Sequence, residues 1–306
     1  MLESTKIKAL VSLLDDPDQT VWETALNELS NIEITQLDEL YTYLENGLES
    51  SEQHERLEDC IGLIRYQHLG KLLLDWKLNG GRNLVYAMAL ISQFKYPEVT
   101  EQAIHEKLET LRLDAWLEFH YDLTSFEKVR ILNYILFQLH GFRGDEDNFL
   151  HHDNSFIDKV LENKKGNPIS LSIVYMLVAQ RLNVPVYGIN LPRHFIMAYV
   201  EDDETDTIEN FNDQQHISHI AHGEIKFYIN AYNGGGVFNL DQLKSILKEM
   251  QLEEKPEYIQ PCTNADIVLR VLMNLYNSFK HQGKKESEWI DRVIQLYMNG
   301  EEAPML

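Results

Sequence analysis

At 306 residues the chain is long enough for about two domains with substantial cores. Hydrophobic residues make up 44% and charged residues 25%, an ordinary globular balance, and the longest apolar runs, such as Ala87-Met88-Ala89-Leu90-Ile91, are far too short to cross a bilayer. The 27 Lys and Arg stand against 49 Asp and Glu, a formal charge of −22, which argues against nucleic acid and anionic membranes as partners while leaving room for a local basic patch around Lys159, Lys164, Lys165 and Arg181.

Only Cys60 and Cys262 are present, so no disulfide framework is needed. Met1-Leu2-Glu3-Ser4 lacks the basic and apolar segments of a secretion signal, and the expected location is the cytoplasm. Residues 5–32 read as a helical pair broken at Asp15-Asp16-Pro17-Asp18, with Ile7, Leu10, Val11 and Leu14 on one face and Val21, Trp22, Ala25, Leu26 and Leu29 on the next. This pair is similar to one HEAT-type repeat. Further helices are expected through residues 35–76, with Cys60 a small core side chain. After Gly80-Gly81 come an apolar helix from Leu84 to Phe94, another over 99–113 and a third over 126–139. Trp76, Tyr86, Trp116, Phe119 and Tyr121 read as core aromatics. A polar loop follows Gly141-Phe142-Arg143-Gly144, and a short helix runs from Phe156 to Glu162.

In Lys165-Gly166-Asn167-Pro168-Ile169-Ser170-Leu171-Ser172, a basic, Gly-containing loop stops. Asn167 then supplies an N-cap and Pro168 a first helical residue. The helix runs through Leu171, Val174, Tyr175, Val178 and Leu182 and ends at Asn183. Strands are expected over 184–189 and 194–200, with His194 at the mouth of the second after the turn Leu191-Pro192-Arg193. Beyond an acidic hairpin loop at Glu201-Asp202-Asp203-Glu204, strands are expected over Thr207–Phe211 and Lys226–Asn230. Gly234-Gly235-Gly236 is a loop needing positive φ, Asn239 caps a helix to Met250, and a hairpin (265–281 and 286–297) closes the chain. The fold class is α+β, predominantly helical, with a small antiparallel sheet in its middle.

An ordered set of motifs resembles the bacterial SirB-type transglutaminase-like family. It comprises Leu136-Phe137, Gly141-Phe142-Arg143-Gly144, Asp153-Asn154-Ser155-Phe156, Val160-Leu161, the stretch Gly166 to Ser172, Tyr175 and Leu191-Pro192-Arg193-His194-Phe195. The resemblance spans roughly 83–250 and implies three parts: a HEAT-like region (1–82), a transglutaminase-like domain (83–258) and a tetratricopeptide-like hairpin (259–306). It also implies a papain-like site in which a Cys at a helix start is activated by a His on a neighbouring strand and a third group orients that His. Here the His is His194 and the third member Asn230. The Cys position falls on Pro168, or on Ile169 or Ser170 in a shifted register, and none is a thiol.

The expected function is therefore a non-catalytic peptide- or protein-binding module whose cleft is lined by Asn167, Pro168, Arg193 and Tyr175. The alternative is a hydrolase or acyltransferase on amide or ester bonds, using Ser170 or Cys262 with His194. Arg193 stands where resembling sequences often carry Gly. No cofactor is expected, because the glycine run lacks the Lys-Ser/Thr of a phosphate loop. No metal is expected either. His216, His219 and His222 recur at intervals of three and His151-His152 adjoin Asp153, but neither group presents a complete ligand set.

Overall fold

The structure is a computed structural model that describes residues 2–46, 48, 50–201 and 223–300. It divides the chain into two compact units, residues 1–74 with 285–306, and residues 75–284. In the first unit α1 (Ser4–Leu13) and α2 (Gln19–Ser30) form the expected hairpin, and the Asp18 carboxylate caps α2 by accepting the Thr20 N–H at 2.9 Å. A 3-10 turn, α3 (Leu37–Asn46) and most of α4 (Ser51–Leu78) complete its sequential part. Ile7, Leu14, Leu29, Leu40 and Leu57 bury fully in its core. Cys60 lies among them, its thiol pushed up to about 12 by burial and by Asp59. The last helix, α12 (Glu286–Asn299), belongs to this unit, and its Trp289 ring fills the space that a Cβ at Gly62 would occupy. Gly62→Ala is expected to lower stability by about 1 kcal/mol in a thermal melt, the methyl's helix preference offsetting part of the overpacking.

The second unit holds α5 (Leu84–Gln93), α6 (Glu101–Glu118), α7 (Ser125–Asn133), α8 (Ile157–Asn163), α9 (Pro168–Gln180), α10 (Leu240–Glu249) and α11 (Asn264–His281). Its strands are β1 (Arg143–Gly144), β2 (Lys165–Gly166), β3 (Val186–Ile189), β4 (Ile196–Glu201), β5 (Glu224–Asn230) and β6 (Gly236–Phe238). The helix α9 is central because it is apolar all round: every residue from Ile169 to Ala179 is buried. The antiparallel sheet β3-β4-β5-β6 lies against it, and Met197 and Tyr199 of β4 are buried as fully as Ile196, Ala198 and Val200. That second set joins Leu243 and Leu247 of α10, so the sheet is covered on both faces. A separate two-residue parallel bridge pairs Arg143 with Lys165 and Gly144 with Gly166.

Several expectations are revised. The third helix switches to a π-helical turn over Tyr134–Leu139, and α6 runs one turn past residue 113. The glycine run ends in β6; Gly234 and Gly235 do take φ of 64° and 78°. Trp76 is buried, but Trp116 and Tyr121 are 57% and 99% exposed, on the surface rather than in the core. The acidic loop beyond Glu201, the strand over 207–211, and His216, His219 and His222 lie outside the described residues. Among the described residues no helix is long and apolar enough to cross a membrane.

Candidate functional site

The start of α9 is built by reciprocal capping. The Asn167 side chain accepts the Ser170 N–H at 3.0 Å, and Ser170 Oγ accepts the Asn167 N–H at 3.0 Å. Ser170 Oγ also donates to the Asn167 carbonyl at 3.2 Å, and the residue is 1% exposed. Gly166 precedes the cap because a Cβ there would come within 2.5 Å of that same hydroxyl. The loop before α8 is fastened to the cap from the other side. Asn167 Nδ2 donates to Ser155 Oγ at 2.9 Å, and Asn154 Nδ2 to the Asn148 carbonyl at 2.8 Å. Pro168 is the half-buried first residue of the helix, and it carries no group able to attack or to move a proton.

The other expected members sit as follows. His194 is exposed; its N–H donates to the Leu191 carbonyl at 3.2 Å, and among the described residues its ring has no hydrogen bond. Asn230 ends β5 half-buried, and its Oδ1 accepts the Asn233 N–H at 3.3 Å to cap a short turn. No hydrogen bond joins Ser170, His194 and Asn230 among the described residues. Tyr175 does not line a cleft: two turns into α9, it is fully buried, stacked on Phe137 with centroids 6.1 Å apart, and its hydroxyl points at the Val129 carbonyl. Arg193 is exposed with φ of 64°, the left-handed region where Gly is at ease. Arg193→Gly is expected to raise stability by about 0.5–1 kcal/mol, read as a higher Tm.

Cys262 lies against the sheet edge. Its N–H donates to the Gly188 carbonyl at 2.8 Å, and its Sγ lies 3.5 Å from where a Gly188 Cβ would stand, in a space shared with Phe195. Burial, aided by Asp266, pushes the thiol up to about 12 against the opposing pull of the Asn190 N–H and Arg270, so it is protonated at neutral pH.

Two further groups stand near the cap, one that the sequence did not signal because it forms only in space, and one already weighed as a metal candidate. Tyr232 lies so close to Gly144 that a Cβ there would meet its ring at 2.4 Å, and its other edge meets Phe149 with centroids 6.0 Å apart. His151, His152 and Asp153 bring candidate ligand atoms within 4.8 Å of one another. Their donors, however, are engaged internally. His152 Nδ1 bonds Gln282 Oε1 at 2.9 Å, the Lys95 ammonium rests on Nε2, and the Tyr96 hydroxyl donates to Asp153 at 2.5 Å. The Lys95 ammonium thus already occupies the His152 Nε2 lone pair that a metal would need.

The chain is 28% identical to a UPF0162 protein of Xylella fastidiosa (strain 9a5c) over 178 residues, 58% of each chain. It is 26% identical to a UPF0162 protein of Vibrio cholerae over 206 residues, 66% of this chain and 62% of that one. Part of it, 39%, is 27% identical to a stretch of the mouse F-box only protein 21 that makes up 20% of that protein. The chain thus spans less than two thirds of the length of these relatives. No solved structure matches it. Residues 102–273, more than half of the sequence and the whole of the α9 site, match the Transglutaminase-like superfamily, and the chain belongs to that superfamily.

Proposed function

We propose that the chain is a SirB-type member of this superfamily that binds a peptide or protein segment at the α9 site without catalysing acyl transfer. The observation that carries this reading is the chemistry at the start of α9. A papain-like or transglutaminase-like reaction needs a thiolate there, held down by the helix N-terminus and a nearby imidazole. Here the place falls on Pro168, or on Ile169 or Ser170 in a shifted register; none is a thiol, and the hydroxyl of Ser170 is buried with both its donor and acceptor functions used by Asn167. Cys262, the other candidate nucleophile, is held as a protonated thiol. Arg193, His194 and the Tyr232–Phe149 pair remain as cation, imidazole and aromatic edges for recognition. The proposed layout keeps three modules (1–82 HEAT-like, 83–258 transglutaminase-like, 259–306 tetratricopeptide-like) in a cytoplasmic protein.

Two experiments test this. Serine- and thiol-directed acylating probes should leave Ser170 and Cys262 unlabelled by mass spectrometry; labelling that disappears in His194→Ala would establish the hydrolase or acyltransferase reading instead. In the second, Pro168→Cys puts a thiol in the first turn of α9. It is expected to alkylate at pH 7 at least about tenfold faster than Cys262, because the helix terminus stabilises thiolate while burial opposes it at Cys262. Equal rates would show that the helix start no longer has the electrostatics of a thiol site.

A further inference from the structure

The same loop that carries the cap also gathers cations in a chain that is otherwise strongly acidic. Lys164 ends α8 with φ of 58°, a conformation that favours Gly or Asn and that Lys adopts only at a cost. Its ammonium lies 4.6 Å from the centroid of the Phe142 ring. Burial and the neighbouring Lys107 ammonium both pull its pKa below the ordinary lysine range. Arg143 stands beside it: the Arg143 N–H donates to the Lys164 carbonyl at 2.9 Å, and Arg143 is in register with Lys165 across the parallel bridge. Like charges opposite one another on a ladder oppose pairing.

Lys165 is relieved by Asp145 at 3.3 Å. Lys107, Arg143 and Lys164 make no ion pair among the described residues, although the chain carries 49 carboxylates to 27 Lys and Arg. The group differs from the patch expected at Lys159, Lys164, Lys165 and Arg181. Lys159 bonds Glu162 at 3.2 Å, and Arg181 bonds the Leu177 carbonyl and His105. Three cations without an ion pair, one of them in an unfavourable backbone conformation and one opposite a like charge on the parallel bridge, are a local arrangement that folding alone does not favour. Lys164 stands two positions before Gly166-Asn167-Pro168, Arg143 is bonded to its carbonyl, and Lys107 is brought beside it by the packing of α6 on α8.

We propose that Lys107, Arg143 and Lys164 form the anion-recognising edge of the α9 site, so that its occupant is an acidic peptide segment, with Asp or Glu side chains set against these cations. This rests on the peptide-binding reading above and names the class of peptide. Charge complementarity of this kind sets selectivity and association rate and weakens with salt.

The test selects a random dodecapeptide phage library on the full chain and measures the recovered peptides, as synthetic fluorescent probes, by anisotropy. The expected peptides are rich in Asp and Glu and lose affinity in Tyr232→Ala. They are also expected to bind at least about tenfold more weakly to the triple variant Lys107→Gln, Arg143→Gln, Lys164→Gln, and more weakly as NaCl is raised. Lys164→Gly alone should weaken binding while leaving Tm unchanged or higher; a lower Tm with unchanged binding would assign Lys164 to packing on Phe142 and overturn the proposal. Peptides without acidic residues whose affinity survives the triple variant would leave the peptide-binding reading standing and overturn this one. If no peptide is recovered, both fall. Displacement of an acidic peptide by a single-stranded oligonucleotide at lower concentration would overturn it in favour of a nucleic-acid ligand.

Discussion

Replacing Asn167 by alanine is expected to destabilise the second unit by about 3 kcal/mol, more than the loss of an ordinary helix cap. An N-cap side chain contributes about 1 kcal/mol by satisfying one amide at the helix start. Asn167 does more, because its Oδ1 holds the Ser170 N–H while its Nδ2 holds Ser155 Oγ, and both contacts are in the interior. Truncation leaves an amide and a hydroxyl buried without partners, at about 1 kcal/mol or more each. Ser170→Ala removes the other half of the box and is expected to cost only about 1 kcal/mol, since the Asn167 N–H keeps the Asn154 carbonyl at 3.3 Å. The double variant should cost less than the sum, because both single changes break one shared motif. Calorimetric melts of the four proteins check this. If Ser170→Ala leaves Tm unchanged, the hydroxyl is not a structural cap, and the case for reading it as a nucleophile strengthens.

The cap also explains how much of the site could be read in advance. Asn167 before Pro168 before a continuous apolar run is a local signal, and α9 begins where it says. The antiparallel pairing of β3 with β4 was similarly legible, from two short runs of apolar residues separated by Leu191-Pro192-Arg193. The place of Tyr175 was not. Its position in a motif suggested a site residue, but on a helix buried all round, spacing does not tell which face meets a cleft. The bridge between β1 and β2 is too short for any periodic signal, and it joins residues about twenty positions apart. The same holds for the cations: Lys107 is far from Lys164 in sequence, and only the packing of α6 beside α8 brings them together. Where a property depends on one helix or one turn, the residues announce it; where it depends on which elements pack, they do not.

Acidification supplies the second large effect, and it acts through a histidine that has no part in the expected triad. His152 is 4% exposed, stacked on Phe279 with centroids 5.0 Å apart and set edge-on to Phe156. Burial, and then the Lys95 ammonium against Nε2, pull its pKa from 6.5 down to about 4; Asp153 and the bond to Gln282 pull the other way, and Lys284 adds to the lowering. The unfolded chain therefore takes up a proton near pH 6.5 that the folded chain refuses until about pH 4. The stability contributed by the neutral ring is complete above pH 6.5 and is lost as the pH falls towards 4, by an amount of the order of 2 kcal/mol. Asp158 opposes this. Burial raises its pKa, so protonating it on acidification favours the fold, but its displacement is smaller than that of His152. His152→Phe keeps the ring stack and removes the titrating nitrogen. It is expected to melt lower at pH 7.5, where the Gln282 partner is lost, yet to lose about 2 kcal/mol less than the native chain between pH 6.5 and 4.5. Parallel losses in the two proteins would show that His152 does not titrate in this window. The link to the α9 site runs through the backbone. His152 opens the 3-10 turn that carries Asn154 and Ser155, the residues that fasten the Asn167 cap, so the melt of Asn167→Ala is expected to lose part of its pH dependence if the two are coupled.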